Sequence, residues 1–375
     1  MRKYSIGIMV WVMAVSLLSG FFSITNALDS DSQNTEYEYW SSAGKKAGDQ
    51  AFAMMKQNGI APKKENLIVL SNAGYAEIGN SSTMGFIDGI SDATGCRRGN
   101  NAFAEIHSRY DAPLWCAVYD KVSGLCAYLQ LKSSKISGDI QAAPASEIFE
   151  IAVSEKINAD HLYANAEAYN KKFSEKIFGG NDFRIVSIAN ALAKGVPSYV
   201  LRAFEYHDHY CPGVTSGIMM VNYLKKNFPV KPGSSYFVQS VQPWCKEDAL
   251  MTLLNATPGK GGYSALYSTE ADREKWKPEA KDAATIVYRE DKGTKKWDGI
   301  VLGFKWDDSV CKEFGKSMIG KLCMDLHYLD RLDKPEDFVR EIKRFELPAE
   351  QTPKDWARPG IDPMKMLDLT VSSEK

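Results

Sequence analysis

Two related α+β units from an internal duplication, of a three-layer type with helices packed on a mixed or antiparallel sheet, are what this sequence predicts. Three observations carry that expectation. Asp88–Gly99 is echoed 160 residues later by Asp248–Gly259, each opening on an acid and a helix-like apolar pattern and closing on a glycine. Ala117–Lys121 and Ile286–Glu290 each lead from a strand into a charged, glycine-containing turn. Gly44 and Gly48 before Met54-Met55 are matched by Gly213 and Gly217 before Met219-Met220. Order-preserving matches of this kind are the mark of a repeat.

Residues 1–27 read as a targeting segment. Arg2 and Lys3 precede an apolar run from Ile6 to Phe22, and Thr25-Asn26-Ala27 offers small residues for cleavage. This is the pattern of a secretory signal peptide, or of a membrane anchor if left uncleaved. The expected location is periplasmic or extracellular, with no membrane span after cleavage. The first unit is placed at 35–180, with a helix from Ser42 to Asn58 and a buried strand Leu67–Leu70. The second is placed at 185–345. Its helical pattern Ile185–Phe204 is broken near Gly195-Val196-Pro197, and a further helix runs from Val214 to Asn227. Tyr236–Val241 alternates as a strand, and a hairpin Thr285–Phe304 turns at Glu290–Gly293. Ala159–Tyr163 and Met324–Tyr328 read as equivalent helices after each hairpin. From 346 to 375, four prolines and no periodicity predict a tail that wraps the surface or stays loose.

With 46 Lys+Arg against 47 Asp+Glu, the formal charge is −1. No basic stripe exists to hold nucleic acid, and none is expected as a partner. A 44% hydrophobic, 25% charged composition excludes wholesale disorder. The seven cysteines are an odd number and fit neither a dense disulfide framework nor a CxxC zinc ribbon. Cys116 and Cys126 flank a turn, and Cys311 and Cys323 bracket a glycine-containing segment. Each pair is a candidate disulfide in an exported chain.

One segment stands apart: His207-Asp208-His209-Tyr210-Cys211-Pro212-Gly213. Imidazole and thiolate are preferred ligands of Zn²⁺ and similar ions. His207, His209 and Cys211 share a face if extended, whereas His207 and Cys211 lie one turn apart at a helix end. Pro212-Gly213 opens the next helix, and a thiol near a helix N-terminus is favoured as thiolate. Cys245 lies between a strand and a helix, at the sheet edge where sites gather. Tyr206, Tyr210 and Trp244 are candidates for lining a pocket, and Asp208 for orienting an imidazole. Lys260 in the Gly259–Gly262 turn could place a positive charge nearby.

These residues resemble the FmdE family, proteins similar to one component of formylmethanofuran dehydrogenase. The His207–Gly213 segment is similar to that family's H-x-H-x-C-P-G, and Cys245 with Asp248-Ala249 to its C-x-x-D-A. The resemblance covers about 200 to 310 and extends, weakened, over the first unit as a degenerate copy. It implies an α+β fold with a bound metal, most often zinc, held by His207 or His209 with Cys211 and Cys245. It also implies a homodimer. A further family cysteine is replaced by Ala256, while the first unit keeps Cys96, which could reach the other unit's site. Trp40–Gly44 and Gly85 stand where the first unit would need ligands.

The expected function is an exported metal-binding protein whose reaction is unassigned. If it is an enzyme, activated water or Lewis-acid polarisation is the chemistry. The alternatives are a non-catalytic carrier of a solute, cofactor or metal, and a redox protein with a Cys211–Cys245 disulfide. The small-molecule ligand is not named by the sequence.

Overall fold

The computed structural model describes residues 35–371 apart from residue 137. The hydrophobic N-terminal stretch and its cleavage signal therefore lie outside the described residues. The first half comprises helix α1 (35–57), β1 (Leu67–Ser71), a two-strand ladder β2 (Glu77–Ile78) and β3 (Ser81–Ser82), and α2 (Gly85–Thr94). There follow β4 (Phe103–Glu105), β5 (Trp115–Asp120), β6 (Leu125–Leu131), the single turn α3 (Ala145–Ile148) and β7 (Phe149–Lys156). Four helices lead onward: α4 (Ala159–Ala164), α5 (Ala166–Ser174), α6 (Asp182–Ala193) and α7 (Ser198–His207). The second half continues with α8 (Pro212–Asn227), β8 (Tyr236–Ser240), α9 (Lys246–Leu254), β9 (Tyr263–Ala265) and α10 (Glu270–Glu274). It ends with β10 (Ala283–Asp291), β11 (Lys296–Phe304), α11 (Met318–Leu329), β12 (Val339–Glu346), α12 (Pro353–Trp356) and α13 (Pro363–Met366).

The two halves repeat one architecture. The sheets run β4-β1-β5-β6-β7 and β9-β8-β10-β11-β12, each with one parallel pair at its start and antiparallel pairing after it. Register repeats too: Val69 pairs with Val118 in one sheet and Val238 with Val287 in the other. Even the turns agree, for α2 ends on Gly95 and α9 on Asn255, both left-handed (φ 77° and 55°).

One expected equivalence is corrected. The helix containing Ala159–Tyr163 follows β7, whereas α11 precedes β12, so the two do not correspond. Both fifth strands escaped the sequence reading because polar residues interrupt their alternation, as in Val339-Arg340-Glu341-Ile342.

Alternation along β1 shows how the layers are built. Leu67 and Val69 face α1 and α2, while Ile68 and Leu70 face the core that contains α6. In β8, Tyr236 and Val238 join that same central core with α8 and α9. The central helices are thus sandwiched between the two sheets. The outer face of the second sheet is covered by the C-terminal segment, whose Trp356, Met364, Leu367 and Leu369 are buried against Phe237, Ile286 and Tyr288. No helix among the described residues is long and apolar enough to cross a membrane.

Cys311 and Cys323 form a disulfide that ties the β11–α11 connection to α11. Cys116 and Cys126 are free, which corrects the expected cross-strand bridge. Cys116 stands opposite Leu129, and Cys126 opposite Tyr119. They face the two different cores, and the sheet lies between their sulfurs.

Candidate metal centre

Three helix ends meet at one place. Helix α7 stops at His207 because Asp208 turns left-handed, with φ 68°. The chain then runs extended into Cys211, and Pro212 opens α8 with its fixed φ and its missing N–H, both tolerated at a helix start. Cys245 occupies the corresponding position before α9. Glycine lets these ends approach: a Cβ on Gly213 would sit 2.8 Å from Cys245 Cβ and 3.1 Å from its Sγ. The outcome is that His207, Cys211 and Cys245 bring one ligand atom each within 4.8 Å of one another.

The polarity of the site matches a cation. His207 Nδ1 is 2.6 Å from Asp248 Oδ2, and Nε2 lies 3.7 Å from Cys211 Sγ. Such a carboxylate–imidazole pair fixes the ring and leaves the other nitrogen for an ion. Burial opposes charge on His207, but the bonds to Asp248 and Cys245 outweigh it and raise its pKa to about 9. The two thiols share a proton unequally. Hydrogen bonding to Cys211, then to His207, lowers Cys245, and its thiolate together with burial raises Cys211. Tetrahedral zinc with these ligands separates neighbouring donor atoms by roughly 3.3–3.8 Å. Small side-chain adjustments reach that spacing, so the donor set fits the ion.

Sequence had left His207 and His209 as alternatives, and the structure brings only His207 into the cluster. His209 sits beside it, rings 4.4 Å apart, with Nδ1 bonded to Asp208 at 2.6 Å. Asp208 was expected to orient the ligand imidazole, but Asp248 does so. Asp208 instead joins His209 to Arg184, at 2.7 Å. Burial would raise its pKa, but these two partners reverse that and lower it.

Cys96 does not reach the site. It is buried beside α1 and α2, its Sγ 3.4 Å from the Leu67 carbonyl. Gly85 has no room for a ligand, since a Cβ there would lie 2.6 Å from the Tyr37 carbonyl. Tyr210 is wholly buried, stacked on Phe204 with its hydroxyl donating to the Asp325 carbonyl, so it belongs to the core and not to a pocket. Tyr206 is exposed and stacks on His107. Trp244 donates to Ser216 and lies under the Lys246 ammonium, 3.6 Å from the ring centroid. Lys260 bonds Asn255 at its own turn.

Three residues near the cluster had been given no role. Asp248 stood in the C-x-x-D-A motif without a role, and its place three residues after Cys245, on the same face of α9, was the signal for one. The burial of Lys246, the residue after Cys245, gave no such signal: it is wholly buried and held by Glu247 and by the Gln242 carbonyl at 2.5 Å. Asp325 on α11 is also fully buried, and neither oxygen finds a hydrogen-bond partner among the described residues. Burial pushes its pKa well above the usual carboxylate range. The folded chain therefore keeps a proton that the unfolded chain loses above about pH 4, and stability falls as pH rises through that window. Asp325→Leu is expected to stabilise the fold by about 1–3 kcal/mol at pH 8. Denaturant melts should show the gain shrinking toward pH 4.

No curated protein matches the chain. Residues 206–317, which carry all three clustered ligands, match the family described as FmdE, Molybdenum formylmethanofuran dehydrogenase operon.

Proposed function

We propose that this chain is an exported protein that holds one divalent ion, zinc, through His207, Cys211 and Cys245 and presents it to a small molecule. The convergence of three ligand atoms within 4.8 Å, from the ends of three helices, carries this reading. Three protein ligands leave a tetrahedral position open, the pattern of catalytic rather than structural zinc. Such an ion supplies Lewis-acid polarisation or an activated water. The protein's own groups do the rest: Asp248 sets the His207 ring, and Asp208 holds a second imidazole beside it. Export is supported by the N-terminal charge and hydropathy pattern and by the Cys311–Cys323 disulfide, since such bonds persist in oxidising compartments. The first half is read as a degenerate copy of the same domain, supported by its identical strand order. Elemental analysis of the purified full chain tests the reading. One zinc per chain is expected, and a folded protein that takes up no divalent metal would refute it.

A further inference from the structure

The first half, whose described residues add no ligand to the cluster, is fastened to the metal-binding segment. Glu205 precedes that segment by two residues, and its buried carboxylate accepts the Glu105 N–H at 3.0 Å. It also pairs with Arg98 at 3.1 Å and Arg202 at 2.7 Å, while its carbonyl accepts the His107 N–H at 2.9 Å. The loop after β4 is thereby held against the end of α7.

Between that loop and α6 lies a cavity of about 340 Å³. Arg109, Trp115 and Gln130 line it from the first half, and Asn181, Arg184 and Asp208 line it from the other side. Asp208 is the partition between cavity and cluster. One of its oxygens faces Arg184, and the other holds His209, whose ring neighbours His207. The volume suits a small molecule. Among the lining side chains two guanidiniums face one carboxylate, Asp208, so a ligand that displaces Asp111 from Arg109 meets one uncompensated positive charge, which matches a monoanion better than a dianion. Arg109 pairs with Asp111 at 2.5 Å, an exposed contact that is weak and readily exchanged. Guanidinium forks favour planar carboxylates, and Trp115 offers an apolar wall.

We infer that this cavity binds a small organic carboxylate beside the metal cluster, with Arg184 and Arg109 as its recognition residues. The first half thus contributes half of a composite pocket. The placement beside an ion rests on the function proposed above, but carboxylate binding does not.

The experiment titrates the full chain with propionate, propionamide and inorganic phosphate by saturation-transfer NMR, with zinc content measured on the same samples. Propionate should bind at least about tenfold more tightly than propionamide, and Arg184→Gln and Arg109→Gln should each weaken it by about tenfold. Binding of propionate no tighter than propionamide overturns the inference, as does an affinity unaltered in both variants. Phosphate binding more tightly than propionate overturns the assigned class. Propionate binding by a chain without zinc upholds the pocket and refutes the metal reading alone. A zinc-loaded chain indifferent to propionate does the reverse.

Discussion

Cys245→Ala is expected to abolish stoichiometric zinc binding while leaving the fold intact. The side chain is only partly buried and, at the N-cap of α9, makes no capping hydrogen bond to lose, so helix and sheet should persist by circular dichroism. The ion, however, loses one of three protein ligands. Loss of an outer partner of a ligand typically costs 10–100-fold in affinity, and loss of a ligand should exceed that upper figure, more than about 100-fold. Competition against a chromogenic chelator measures the change. Asp248→Asn provides the graded comparison. It keeps all three ligand atoms but removes the carboxylate that orients His207, and so should fall within that 10–100-fold range. Zinc retained in full by Cys245→Ala would mean that the sulfur takes no part.

Zinc affinity should also climb steeply with pH. In the ion-free site His207 is protonated up to about 9, Cys245 is the thiolate and Cys211 keeps its proton. Binding requires a neutral imidazole and two thiolates, so it expels two protons. From mildly acidic pH up to about 9, the logarithm of the affinity should rise by about two per pH unit, dropping to about one above that. Chelator competition across pH, or proton release in weak buffer, reads the slope. A flat profile would contradict the arrangement of protons in the site. Without zinc, the raised His207 pKa stabilises the fold fully below its ordinary 6.5, and that contribution is lost as pH rises through about 9.

Much of the architecture was legible because it was written twice. Asp88–Gly99 and Asp248–Gly259 foretold α2 and α9, and Ala117–Lys121 and Ile286–Glu290 occupy matching places in the two sheets. The polar fifth strands were not legible, nor was the placement of α11 before β12. Their order depends on what covers each sheet, and alternation within a short window does not report that. The Cys116–Cys126 expectation failed for a related reason: hairpin neighbours share a face only if their register allows it, and here it does not.

The candidate metal centre divides in the same way. Local sequence determined the ligand chemistry, a histidine one helix turn before a cysteine that opens the next helix, because helix ends are set by nearby residues such as Pro212 and Gly213. Tertiary packing decided which histidine turns inward, that Asp248 rather than Asp208 steadies it, and that Asp325 and Lys246 are buried nearby. Those outcomes hinge on distances between helices far apart along the chain. Such distances are fixed by how closely α8 can lie against α9, which no short stretch of residues encodes by itself.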